Sequence, residues 1–237
     1  GYAVRPPRVR REKPRVSAFT SADIPKILAL EPDLVLAFSD LQADIVAALM
    51  REGVEIHAFN QRSVAEILDM IRMLGAMVGA HQRANHLADE LSARVAVVGE
   101  HCARRAEKPR IYFEEWDEPM ISGIAWVSEL IDVAGGVDVF AHLSKGKSAT
   151  ERIVDSAQVI AAAPDIVIGS WCGKKFQPQK FAARPGFAAL PAVRHGELCE
   201  IKSPLILQPG PAALTDGLDA IRTIIDRWSE RRPDRSD

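Results

Sequence analysis

Two short segments gather most of the side chains that could do chemistry. One is Tyr112-Phe113-Glu114-Glu115-Trp116-Asp117-Glu118-Pro119. The other is Gly169-Ser170-Trp171-Cys172-Gly173-Lys174-Lys175-Phe176. A carboxylate pair suggests acid–base work, but neighbours on a strand point to opposite faces, so Glu114 and Glu115 cannot readily act together. No GxSxG, P-loop or HExxH pattern occurs. The residues suit recognition better. Flat ligands need flat apolar platforms with a few oriented polar groups. Trp171 leads the candidates, since it directly follows a buried strand and has polar neighbours; a core tryptophan is its alternative. Trp116 either lines a site with Glu114 and Glu115 or covers a sheet edge. Lys174 and Lys175 can pair with propionate, phosphate or carboxylate groups, or be solvated surface lysines. Cys172 can cap a metal axially or be a small buried hydrophobe.

Metal and cofactor chemistry find little support. The three cysteines, Cys102, Cys172 and Cys199, are far apart and show no CxxC spacing. This argues against a disulfide scaffold and a structural zinc site. His81 and His86 are five apart and face different sides of a helix. The sequence therefore leads us to expect no metal site, no catalytic cofactor and no enzyme. Lys plus Arg total 30 against 32 Asp plus Glu, for a net charge of −2 over 237 residues. Such balance is not built around attraction to nucleic acid or an anionic membrane. The basic opening, Arg5 to Arg15, reads as an irregular solvated segment.

These residues need elements to position them. Short apolar runs predict strands over Arg15–Phe19, Asp33–Phe38, Val54–Phe59, Arg110–Phe113, Asp165–Gly169 and Leu198–Ile201. Between them, helices are predicted over Ile24–Leu30, Leu41–Arg51, Val64–Val78, Ile124–Ala134, Ala157–Ala162 and Ala212–Arg227. Ser63 with Glu66, and Asp155 with Gln158, form capping boxes. The alternation defines an α/β fold with mostly parallel sheets. Ligands in such folds bind beyond the carboxyl ends of strands. There stand Ser39 and Asp40, Asn60 and Gln61, Glu114 to Trp116, Ser170 to Lys175, and Ser203 to Gln208.

An internal echo adds organisation. Ile27-Leu28-Ala29-Leu30-Glu31-Pro32-Asp33-Leu34-Val35-Leu36 parallels Val159-Ile160-Ala161-Ala162-Ala163-Pro164-Asp165-Ile166-Val167-Ile168. Each reads as helix end, Pro-Asp turn and buried strand, which suggests two similar lobes. Between the copies, His81–Arg105 has no proline and carries apolar residues at Ala84, Leu87, Leu91, Val95, Val98 and Cys102. That is one face of a single helix, roughly 37 Å long. It reads as a spine joining two α/β units. About three heptads make a poor coiled-coil seam, and a monomer is expected.

The sequence at this point resembles the class III substrate-binding proteins of ABC importers, those for vitamin B12, iron-siderophores and haem. The resemblance rests on Leu30 to Leu36, Gly53 to Ile56, Ser63 to Gly79, Gly123 to Gly136 and Pro164 to Ile168. It spans about Val16 to Trp228. The segments around Trp116 and Trp171 resemble a subgroup usually labelled cobalamin-binding. The resemblance implies two Rossmann-like lobes on one long helix, with 1–80 and 109–237 as lobes and 81–108 as linker. It implies a ligand cleft between lobes, a cobalamin-like or iron-chelate ligand and delivery to a permease without chemistry. It also implies a periplasmic or cell-surface-anchored location. Relatives carry a further strand and helix before the region of Tyr2 to Pro7, so the first lobe is expected to lack that unit.

Phe38 and Tyr2 occupy positions resembling ligand-facing aromatics of B12-binding relatives. The expected ligand set is Tyr2, Phe38, Ser39, Asn60, Trp116, Trp171, Cys172, Lys174 and Gln208. Asp44 and Asp155 are the nearest counterparts of acids that meet permease arginines. One departure stands out: Pro204-Leu205-Ile206-Leu207-Gln208-Pro209 is apolar apart from Gln208, where B12-binding relatives present polar and charged residues. The same fold as an intracellular chelate-binding or sensing module, without a permease, is the alternative reading.

Overall fold

A computed structural model describes residues 6–231. Residues up to Gln61 form one compact unit and those from Arg62 form a second. The first unit runs α1 (Val9–Glu12), β1 (Ser17–Ala18), β2 (Ser21–Ala22), α2 (Ile24–Leu28), β3 (Val35–Phe38), α3 (Ala43–Arg51) and β4 (Ile56–Phe59). Strands β3 and β4 pair in parallel, Val35 opposite Ile56 and Phe38 opposite Phe59. The strand expected over Arg15–Phe19 shrinks to a two-residue ribbon strand, because Phe19 turns left-handed (φ 46°) and the chain doubles back. Ile27, Ala37 and Leu49 are buried here, whereas Leu36 is 44% exposed. A groove of about 280 Å³ opens beside Leu30, Leu34, Leu36 and Ile45.

The second unit begins with α4 (Val64–Met77) and α5 (His81–Cys102). Ser63 and Glu66 form the expected capping box at the start of α4. The two helices approach closely at Gly75, where any Cβ would lie 2.0 Å from that of Ala84. Helix α5 is continuous over 22 residues, as its apolar stripe requires, and packs on α4 and on α6 (Ala125–Val133). By contact, α4 and α5 both group with the second unit; the lobe ranges read from sequence placed 64–77 with the first.

The sheet that follows has five strands: β5 (Arg110–Asp117), β6 (Met120–Ser122), β7 (Val137–Asp138), β8 (Ile166–Gly169) and β9 (Leu198–Glu200). Strand β5 pairs in parallel with β7 and β8, and β8 with β9, while β6 returns antiparallel along the end of β5. Helices α7 (Ser156–Ala162), α8 (Pro178–Ala182), α9 (Pro191–Arg194), α10 (Ser203–Ile206) and α11 (Leu218–Glu230) complete the unit. The helix predicted over Ala212–Arg227 opens instead with a π-helical turn at Ala213–Gly217. All four residues of β8 are buried, consistent with its unbroken apolar run.

The internal echo survives in the backbone. Glu31 and Ala163, the residues before the two Pro-Asp turns, both adopt left-handed conformations, φ 47° and 42°. Proline Cδ crowds the right-handed helical region of the preceding residue; α7 ends at Ala162, directly before that residue, whereas α2 already ends at Leu28. Each turn then leads into a parallel pair, β3 with β4 and β8 with β9.

Candidate functional site

Strand β5 is the scaffold of the chemistry-bearing cluster. Tyr112 and Glu114 share one face by the strand's two-residue period, and Glu115 takes the other. Glu114 is fully buried and accepts four hydrogen bonds. These come from the Tyr112 hydroxyl at 3.0 Å, Trp171 Nε1 at 2.9 Å, and two Arg184 nitrogens at 2.6 and 3.0 Å. Four donors, two of them from one guanidinium, offset the cost of burying this carboxyl group. Burial and the adjacent Glu114 charge hold the Tyr112 phenol well above its ordinary range, so it stays a donor. Across the strand, Glu115 accepts from Arg152 at 2.6 Å, and Arg152 is itself 2% exposed. The two glutamates thus have separate cations on separate faces.

A bulge between Glu114 and Trp116 re-aims the strand end. Trp116 and Asp117 then both meet Lys174. The Lys174 ammonium lies 4.0 Å over the Trp116 ring and donates to Asp117 Oδ1. Lys180, on α8, donates to Asp117 Oδ2 at 2.9 Å. Asp117 is 6% exposed. Burial alone would raise its carboxyl pKa, but the hydrogen bonds and charges of Lys174 and Lys180 outweigh it and hold it below the ordinary carboxylate range. The lysines remain accessible, Lys174 with 39% and Lys180 with 52% of its side chain exposed. The arrangement is an aromatic face with two fixed ammonium groups on one buried anion.

Trp171 sits differently from the expected open platform. It is 2% exposed, packs edge-on against Phe176 at 5.1 Å, and belongs to a core cluster with Tyr112, Phe140, Phe181 and Phe187. The reason is Glu114: a buried carboxylate next to a buried strand draws the indole N–H inward. Gly169 makes room for this packing, since a Cβ there would fall 1.9 Å from the Phe176 ring. Cys172 is exposed as a residue, yet desolvation and the nearby Glu115 charge push its thiol up to about 12. It is therefore protonated at neutral pH, which suits neither a thiolate ligand nor a nucleophile.

The other expected residues belong to other elements. In the first unit, Phe38 is half-buried, its ring 6.3 Å from Phe19, and its N–H donates to Gln42 Oε1 at 2.9 Å. Ser39 is left-handed (φ 75°), and its hydroxyl accepts from the Leu41 N–H at 3.3 Å. Asn60 is exposed at the end of β4. In the second unit Gln208 is exposed beyond α10. Tyr2 lies outside the described residues. Asp44 is exposed in the first turn of α3, and Asp155 caps α7 by accepting from the Gln158 N–H at 2.8 Å. Among the described residues, no group of three or more His, Cys, Asp or Glu is arranged to hold a metal ion.

Asp117, Lys180 and Arg184 were missed as site residues. Lys180 and Arg184 are spaced four apart, which brings both to one side of a helix and its cap. The signal was hidden because α8 is only five residues long and carries no apolar stripe.

A two-unit α/β chain with parallel sheets, one long helix and aromatic and cationic residues at strand ends has the architecture of a solute-binding protein. The chain belongs to the periplasmic binding protein family, which matches residues 1–205. It is 25% identical over 224 residues to a vitamin B12-binding protein of Vibrio parahaemolyticus, covering 88% of this chain and 74% of that one. Among solved structures it is similar to an ABC transporter substrate-binding protein from Listeria monocytogenes, with 19% identity, TM-score 0.78, and coverage of 92% and 86%. It is also similar to a haem-complexed protein of S. aureus, with 15% identity, TM-score 0.75, and coverage of 97% and 88%. The structural likenesses establish the fold.

Proposed function

We propose that this chain is the substrate-binding protein of an ABC importer, taking a cobalamin-like corrinoid or another metal chelate and delivering it to a permease. The observation that carries this reading is the family match over most of the chain, joined to relatives whose names specify vitamin B12. The β5–β8 strand ends support it with an aromatic face and fixed polar groups of the kind chelates require. The protein performs no reaction on its ligand: Glu114 and Glu115 are each saturated by their own cation and share no face. It works as a monomer, in the periplasm or anchored at the cell surface. Phe38, Ser39, Asn60, Trp116, Cys172, Lys174 and Gln208 are the proposed ligand neighbours, and the exposed Asp44 and Asp155 the proposed permease contacts.

The test is optical. Cobalamin, haem and ferric siderophores are added in turn to purified protein, and absorbance and melting temperature are followed. One of them should shift its visible bands with a one-to-one endpoint and raise the melting temperature. No shift and no thermal change with any of the three would reject the reading.

A further inference from the structure

The Asp117 cluster carries an electrostatic imbalance that bears on the ligand's chemistry. Two ammonium groups share one buried carboxylate. A single carboxylate neutralises one of them, so the assembly keeps a net positive charge. Arg184 cannot be the excess group, because its guanidinium is matched by Glu114. Each ammonium has three N–H donors, and one from each is spent on Asp117. The Asp117 oxygens pin Lys174 and Lys180 side by side, which lysines in solvent would resist by mutual repulsion. Their other donors lie on side chains 39% and 52% exposed. Beside them stands the half-buried Trp116 ring, with the Lys174 ammonium 4.0 Å above it.

Two pre-positioned cations with spare donors next to an aromatic face form a seat for an oxyanion attached to a flat body. We infer that the ligand carries an acidic arm, a carboxylate or phosphate, that bridges Lys174 and Lys180 while its planar body lies near Trp116. This rests on the chelate-binding reading above and narrows it to anionic chelates. Asp117 is a positioning residue here: it touches no ligand and holds the two ammonium groups together.

The experiment compares a ligand pair of like shape and different charge, haem against its dimethyl ester, with cobalamin, which carries a phosphodiester, measured beside them. Affinities are measured for the unaltered protein and for Lys174→Gln, Lys180→Gln and Lys180→Arg. Each single Gln variant leaves Asp117 one ammonium partner, so folding is retained and is checked by melting temperature. For the acidic member, each Gln variant should lose about tenfold in affinity, and Lys180→Arg should restore most of it. The neutral member should change less than about twofold, since it makes no charged hydrogen bond to lose. Raising salt should weaken only the acidic member. Inorganic phosphate at millimolar concentration should compete weakly. Phosphate alone binding as tightly as the acidic chelate would overturn the idea that the anion belongs to the chelate. Equal losses for both members, or none, would overturn the inference and leave the chelate-binding reading standing. If no chelate binds the unaltered protein, both fall.

Discussion

At the residue scale, the cluster at the end of β5 shows how burial reassigns a side chain. Trp171 follows a strand as a ligand platform would, yet its N–H is taken by Glu114 and its ring by Phe176. Trp171→Ala should therefore behave as a core truncation, losing about 3–5 kcal/mol in chemical denaturation. A loss below about 1 kcal/mol with strongly weakened ligand binding would instead mark it as a surface contact. Asp117 gives a pH prediction. Its folded pKa is depressed by Lys174 and Lys180, so its contribution is fully present above the unfolded value, near 4, and is lost as pH falls through the folded value. Stability should thus decline in acid below about pH 4, and Asp117→Asn should flatten that decline. A variant whose acid branch superimposes on that of the unaltered protein would refute the assignment.

At the element scale, strand alternation and its one interruption place the site. Regular alternation parts Glu114 from Glu115, and the bulge brings Trp116 and Asp117 together on Lys174. The adjoining strand β8 depends on Gly169, which lets Phe176 lie flat against its backbone. Gly169→Ala should lower the melting temperature by several degrees, since roughly 1–3 kcal/mol is the usual cost of overpacking. Combining it with Phe176→Leu should recover part of that loss, because the clash is with the ring. If the double variant is simply the sum of two destabilised singles, the two residues are not coupled as described.

At the scale of the whole molecule, the two units differ in how much core each holds. The second has a five-stranded sheet with a continuous aromatic cluster beneath it. Among its described residues the first has one parallel pair of strands, few buried side chains and an apolar groove along β3. Two-stranded sheets with little burial are marginal. Amides of β3 and β4 should exchange with solvent well before those of β5 and β8. Matching protection in the two sheets would show that the first unit is steadier than its burial implies.

Much of this architecture was legible from local pattern. Apolar runs and capping boxes mark the strands and longer helices, and the paired Pro-Asp turns declare the repeat, because these depend on neighbouring residues. The stripe from Ala84 to Cys102 requires a single helix, and α5 is one. The short elements β6, β7 and α8 left no such pattern, since strands of two or three residues and a one-turn helix are set by what they pack against. The roles of Glu114, Asp117, Lys180 and Arg184 were equally hidden. Their partners lie 57 to 70 positions away in sequence, and an ion pair across that distance exists only once the sheet has closed. Sequence alone determined the longer strands and helices and the paired Pro-Asp turns, because that information is local. Which charges would be buried, and which tryptophan would be left near the surface, only the tertiary structure decided, because burial belongs to the assembled fold.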